Sequence, residues 1–181
     1  VQPVSEEADQ LSRRLHHHKP PAGNGRGLFF CSGVQALSIR GVHCMKLDQA
    51  AYLAGLIDGE GTITLSRRHS NERRQLVVSI VSTEREIVAW AREAIGAGKI
   101  TRKRTSSIRH APSFTYSISN RQALEVLRQT MPHLRSYKRR RAELALERYV
   151  SLTPRNGKYS PDLLAARQLF ELRFLATKPH G

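Results

Sequence analysis

The sequence predicts an α+β fold in which a helix, two strands, a helix and two strands are followed by further helices. Apolar residues recur at helical spacing in five stretches and alternate with polar residues in four shorter ones, with glycines or prolines at many of the junctions. The pattern runs through once, without repetition, in 181 residues, the length of one ordinary domain.

From Asp48 the chain reads as a helix: Asp48 can cap its N-terminus, and Leu53, Leu56 and Ile57 share one face. On another face Ala51, Gly55 and Gly59 sit four apart, with Ala50 and Ala54 beside them, so a second helix can approach very closely. The apolar run is too short to span a bilayer, which makes this a helix–helix interface in water. Gly59 and Gly61 end the helix, leaving Glu60 where the chain turns into a strand. That strand is expected over Thr62–Arg68 and a second over Gln75–Ser82, where Leu76, Val78 and Ile80 alternate inward. Glu84–Ile95 reads as a helix closed by Gly96 and Gly98, and Lys99–Arg104 and Ser113–Ser119 as strands joined by the loop Thr105–Pro112. Asn120 is expected to cap a helix over Gln122–Thr130 that ends at Pro132. Arg135–Leu152 and Pro161–Ala176 are the last two helices, the second opened by Ser160-Pro161.

Thirty Lys and Arg against fifteen Asp and Glu give a net charge of +15, which points to a polyanion. The excess lies after residue 44, where 25 basic residues face 12 acidic ones. Charge alone does not choose DNA over RNA. The two cysteines, Cys31 and Cys44, have no CxxC spacing and suggest no disulfide framework, which fits a reducing compartment. No stretch has the apolar length of a membrane span, and no signal peptide is recognisable.

Residues 1–44 read as a flexible extension, because the apolar cluster Leu28–Phe30 follows the breaker-rich run Lys19–Gly27. Since Met45 is the first methionine, the expectation is that 1–44 is upstream reading frame, that the domain is 45–181, and that a chain starting at Met45 keeps full activity. His16, His17 and His18 lack the fixed geometry a metal needs.

The nine residues Leu53–Gly61 resemble the signature of the LAGLIDADG homing endonucleases, with Gly59 and Glu60 standing where the family name has Ala and Asp. Both departures are variants within the family's pattern. The resemblance implies an αββαββα fold whose four-stranded antiparallel sheet forms a DNA-binding saddle backed by helices. A single motif implies a homodimer, with Ala51, Ala54, Gly55 and Asp58 at the interface and a Glu60 carboxylate from each chain near the twofold axis. It further implies Mg²⁺ held by Glu60 and the Gly59 carbonyl, since a hard cation prefers oxygen ligands. Asp58 matches the motif's first acid, which mostly serves helix-end structure. Glu84 falls where the family often has Gln or another polar residue orienting water, and reads equally as a first-turn acid complementing the helix dipole. Lys138, in the run Lys138-Arg139-Arg140-Arg141-Ala142, resembles a lysine close to the scissile phosphate, although Arg141 replaces a Gln; a basic helix start against DNA backbone is the alternative.

Strand alternation turns Ile63, Leu65, Leu76, Val78, Ile80, Ile100, Tyr116 and Ile118 toward the helices. The opposite face then presents Thr62, Thr64, Ser66, Arg68, Gln75, Ser79, Lys99, Thr101, Lys103, Thr115 and Ser117, with no acid among them. Such a face suits the major groove, where Arg and Lys read guanine and Gln reads adenine. Arg67, Arg73, Arg74, Arg102, Arg104 and Arg139 suit phosphates. Two chains spanning roughly two turns of about 10 base pairs each would read a partly palindromic site, and the family implies cuts across the minor groove that leave short 3′ overhangs.

The leading expectation is an intron-encoded, Mg²⁺-dependent, site-specific double-strand DNA endonuclease, acting in a bacterial cytoplasm, a mitochondrion or a plastid. The alternative on the same fold is an RNA maturase that assists splicing of its host intron; it does not need both Glu60 and Lys138. A non-cutting transcription regulator would carry an added helix-turn-helix domain, for which the sequence shows no stretch after Ala176.

Overall fold

In the computed structural model the described residues are 38–39, 41–103 and 111–179. Two short strands, β1 (Ser38–Ile39) and β2 (Val42–His43), lead into the motif helix α1 (Leu47–Glu60). Helix α1 begins one residue before Asp48: the Gln49 side chain accepts from the Lys46 N–H at 3.0 Å, and Asp48 lies in the first turn, where its charge complements the dipole. The chain then passes without a loop into β3 (Gly61–Ser66). A Cβ on Gly61 would lie 2.6 Å from Ile57 Cα, so this direct passage requires glycine.

Strands β3, β4 (Gln75–Ser82), β5 (Lys99–Lys103) and β6 (Ser113–Ser119) form one antiparallel sheet in the order β3-β4-β6-β5. Helices α2 (Arg85–Ile95), α3 (Asn120–Thr130), α4 (Lys138–Arg148) and α5 (Pro161–Ala176) join α1 over one face of it. Leu53, Ala54 and Ile57 of α1 are fully buried with Ile63, Leu65, Leu76, Val78, Ile80, Tyr116 and Ile118 of the sheet. Fixed cations reinforce this layer. Arg167 of α5, 1% exposed, donates to Glu171, Thr153 and the Arg74 carbonyl, tying α5 to the start of β4.

The sequence-derived bounds of β4, β6 and α5 match the structure, whereas others shift. Helix α4 starts at Lys138 rather than Arg135, because the N–H groups of Arg135 and Ser136 are held by the Asp58 carboxylate. Asn120 is no cap; its side chain bonds to Gln75 and Tyr149, and Ser119 stands at the cap position. Within the segment read as a flexible extension, Val42 is 1% exposed in the core, and Gln129 joins the His43 carbonyl to the Met45 N–H. Packing therefore begins before Met45. Cys44 is disulfide-bonded, with its partner outside the described residues, although the spacing of the two cysteines suggests no disulfide framework. Residues 1–37 and most of the loop Thr105–Pro112 also lie outside them.

If β2 belongs to the domain, Val42→Ala lowers stability by about 1–2 kcal/mol in urea unfolding, from lost apolar burial. An unchanged midpoint would show that the domain begins later.

Candidate nucleic-acid interface and acidic helix end

The end of α1 and the start of α4 hold each other by reciprocal bonds. The Asp58 carboxylate accepts from Arg135 N–H at 2.7 Å, Ser136 N–H at 3.4 Å and Ser136 Oγ at 2.6 Å. Lys138 Nζ in turn donates to the carbonyls of Ile57 and Asp58 at 2.8 and 2.9 Å. Helix ends leave carbonyls without partners, and the ammonium supplies them here. Burial lowers the pKa of Lys138 and Arg141 adds to that, while Asp58 and Glu60 act in the opposite direction. Lys138 is 7% exposed, and its ammonium is held by the two carbonyls of the helix end. Arg141, where the resemblance has Gln, donates to the carbonyls of Ile63 at 2.8 Å and Thr177 at 2.9 Å.

Glu60 is exposed at the close of α1, next to the exposed Gly59. A carboxylate and a last-turn carbonyl are hard oxygen donors at the negative end of a helix dipole, a donor set that fits a divalent cation such as Mg²⁺. Among the described residues no three His, Cys, Asp or Glu side chains gather into a metal site within one chain. Because Gly61 pairs with Ile80, Glu60 and Glu84 leave the same end of the sheet. Glu84 is exposed at the cap position of α2, and its N–H donates to Ser82 Oγ at 3.0 Å.

Along the outer side of α1 runs a bare stripe. Ala51, Gly55 and Gly59 are exposed, and a Cβ added at Gly55 or Gly59 would meet nothing within 4 Å. Two interface expectations need correction. Ala54 is 0% exposed in the chain's own core, and the Asp58 carboxylate is committed to the α4 junction, so neither belongs to the stripe. Leu47 and Tyr52, 68% and 52% exposed, flank it instead. Extending the four-residue spacing back from Ala51 reaches Leu47 from sequence; Tyr52 needed the packing, since it lies edge-on to Trp90 at 4.7 Å.

The register sets the outer sheet face in rows. Thr62, Ser79, Ser117 and Lys99 line up across four strands, and Thr115 opposes Thr101. Ser66 faces Gln75, and these two, with Arg68, Lys99 and Ser117, border a groove of about 450 Å³. Val77 and Val81 share this face and were passed over because only polar positions were taken from the alternation; Val77 pairs with Thr64. Arg74 is diverted inward, donating to the Leu65 carbonyl at 3.1 Å and pairing with Glu171 at 3.7 Å, so its place on the DNA face is withdrawn. Arg139 is exposed and pairs with Glu143 at 3.1 Å, a contact too weak to withhold it from a phosphate. The side chains of Lys103 and Arg104 lie outside the described residues.

No family model matches the sequence, and no curated protein matches it. Solved structures do. The homing endonuclease I-CvuI, in complex with its target, superposes with a TM-score of 0.60 at 18% identity over 75% of this chain and 85% of that one. The archaeal intron-encoded homing endonuclease I-Vdi141I, complexed with DNA, gives 0.58 at 19% identity over 74% and 86%. The homing endonuclease I-TnaI gives 0.53 at 17% identity over 74% and 95%. This is the LAGLIDADG homing endonuclease fold. In it the helix α1 carries Glu60 at its end, where the chain enters the four-stranded sheet.

If the reciprocal bonds hold this junction, Asp58→Ala leaves two backbone N–H groups without their acceptor and costs about 1–3 kcal/mol in chemical denaturation. A loss below the error of that measurement would show that the junction is held by packing alone.

Proposed function

We propose that the protein is a site-specific, double-strand DNA endonuclease that acts as a homodimer with Mg²⁺ and is encoded within a mobile intron. The observation that carries this reading is one exposed carboxylate, Glu60, at the end of a helix whose outer stripe has almost no side chains, beneath an acid-free polar sheet face. One chain offers a single acid there. Two copies packed stripe to stripe would bring two together over one duplex.

In this reading Glu60 and the Gly59 carbonyl hold the cation, which when bound activates a water and stabilises the leaving oxygen. The chain's own residues position the rest. Lys138 and Asp58 keep the helix end rigid, which matters because a displacement of about 1 Å can cost 100-fold in rate. The outer face of the sheet enters the major groove, with Thr, Ser, Gln and Lys side chains on base edges and Val77 available to a thymine methyl. Arg67, Arg73 and Arg139, all exposed, meet phosphates, which makes binding fall steeply with salt. Glu84, off the same end of the sheet, orders water in this reading. Such an enzyme works where its intron resides, in a bacterial cytoplasm or an organelle. No feature of the structure favours the RNA-maturase reading.

With a plasmid carrying the uninterrupted insertion site of its own gene, Glu60→Gln abolishes Mg²⁺-dependent cleavage and leaves DNA binding intact; cleavage that survives the change refutes the assignment. Gly55→Leu gives an independent test. Nothing lies near Gly55 within the chain and most residues favour helix over glycine, so thermal stability holds or rises while cleavage is lost. Cleavage at the wild-type rate would remove the stripe from the mechanism.

A further inference from the structure

A directed hydrogen-bond relay runs from the core to the outer sheet face. The Leu76 N–H donates to Tyr149 Oη at 3.1 Å. Tyr149 Oη donates to Asn120 Oδ1 at 2.8 Å, and Asn120 Nδ2 donates to Gln75 Oε1 at 3.0 Å. Leu76 and Tyr149 are buried, so water does not substitute for either partner. Asn120 reaches both neighbours from a left-handed backbone, φ +57°, that asparagine tolerates better than most residues.

The order of donors is not arbitrary. A backbone N–H can only donate, so it occupies an acceptor site on the phenol oxygen and leaves the phenol proton for Asn120. Turning the Asn120 amide over would set two N–H donors against the Tyr149 oxygen and waste its proton. With Oδ1 turned to the phenol, Nδ2 must face Gln75, and the Gln75 amide can answer only with its oxygen. The Leu76–Tyr149 end is buried, where an unsatisfied polar atom costs most, and it fixes the sense of the bonds that the half-buried Asn120 and Gln75 continue.

We infer that Gln75 is a specificity-determining residue held by Asn120 and Tyr149 so that it presents its N–H₂ group, and not its carbonyl, to the DNA. Among the described residues nothing accepts from Gln75 Nε2, and Gln75 borders the groove of the sheet face with Ser66 and Arg68. A glutamine free to show both ends reads adenine through N7 and N6 together. This one offers donors alone, so it selects a base edge that carries acceptors, with guanine, which shows both O6 and N7, the best fit. Asn120 and Tyr149 touch no base and act through Gln75. The inference rests on the endonuclease reading, which supplies the duplex.

The relay predicts an inversion without any change at Gln75. Asn120→Asp keeps the shape but removes the donor: both carboxylate oxygens accept, Gln75 turns its amide over to donate inward, and its oxygen faces the groove. Gln75→Glu leads to the same outcome directly, one carboxylate oxygen accepting from Asn120 and the other facing out. The test exposes the full chain to a library of random-sequence DNA duplexes, without Mg²⁺ so that none is cut, and sequences the bound fraction. Wild type should select guanine at one position of each half-site. Both variants should shift that position alone toward cytosine or adenine, which show an amino donor, by roughly tenfold or more. Unchanged preferences at the other positions would show that the variants fold. A variant profile that equals wild type, or one that loses selectivity evenly at every position, would overturn the relay while leaving the endonuclease reading in place. A wild-type chain that enriches no sequence would overturn that reading and the relay with it.

Discussion

Helix α1 is buried on one side and bare on the other, and the proposed mechanism depends on that difference. Its inner side carries Leu53, Ala54 and Ile57 into the chain's own core, and its outer side carries Ala51, Gly55 and Gly59, with no bulk to fill space. A soluble helix with a bare outer face gains little from burial there unless another backbone comes close. In the proposed mechanism its end must also be rigid, since among the described residues no group of three metal-ligating side chains gathers around Glu60. The exchange of bonds between Asp58 and the start of α4, and between Lys138 and the last turn of α1, supplies that rigidity. The Lys138 ammonium takes up carbonyls at one helix end, and the Asp58 carboxylate takes up N–H groups before the next.

The same economy governs the arginines. A net charge of +15 suggests a uniformly cationic surface, yet Arg74, Arg141 and Arg167 spend their guanidinium groups on backbone carbonyls inside the domain. Two of them also lie over aromatic rings, Arg167 over Tyr149 at 5.0 Å and Arg141 over Tyr137 at 5.1 Å. The charge left for a polyanion therefore lies on exposed residues of the turns and helices, Arg67, Arg73 and Arg139 among them. The sheet face itself carries hydroxyls, amides and a few cations, an arrangement that suits reading bases more than clamping a backbone.

Much of this was legible in the sequence. The glycine-rich end of α1, the period-two alternation of β4 and β6 and the Ser160-Pro161 start of α5 are local signals, and they placed these elements and the polar face. The failures share a cause: each was decided by a residue distant in the chain. The start of α4 depends on a carboxylate 77 residues earlier. Ala51 and Ala54 look alike in sequence, and only the packing of α1 shows that one is bare and the other buried. Asn120 has the composition of a cap and is recruited by Tyr149 instead. Val42 lies in the segment read as an extension before Met45, yet it packs in the core.

The account stands or falls on how many chains meet one duplex. Native mass spectrometry of the protein bound to a duplex bearing its own insertion site counts them directly. Two copies of the chain on each duplex are predicted, with no cleavage-competent species containing one. A complex of a single chain that still cuts both strands on addition of Mg²⁺ would contradict it.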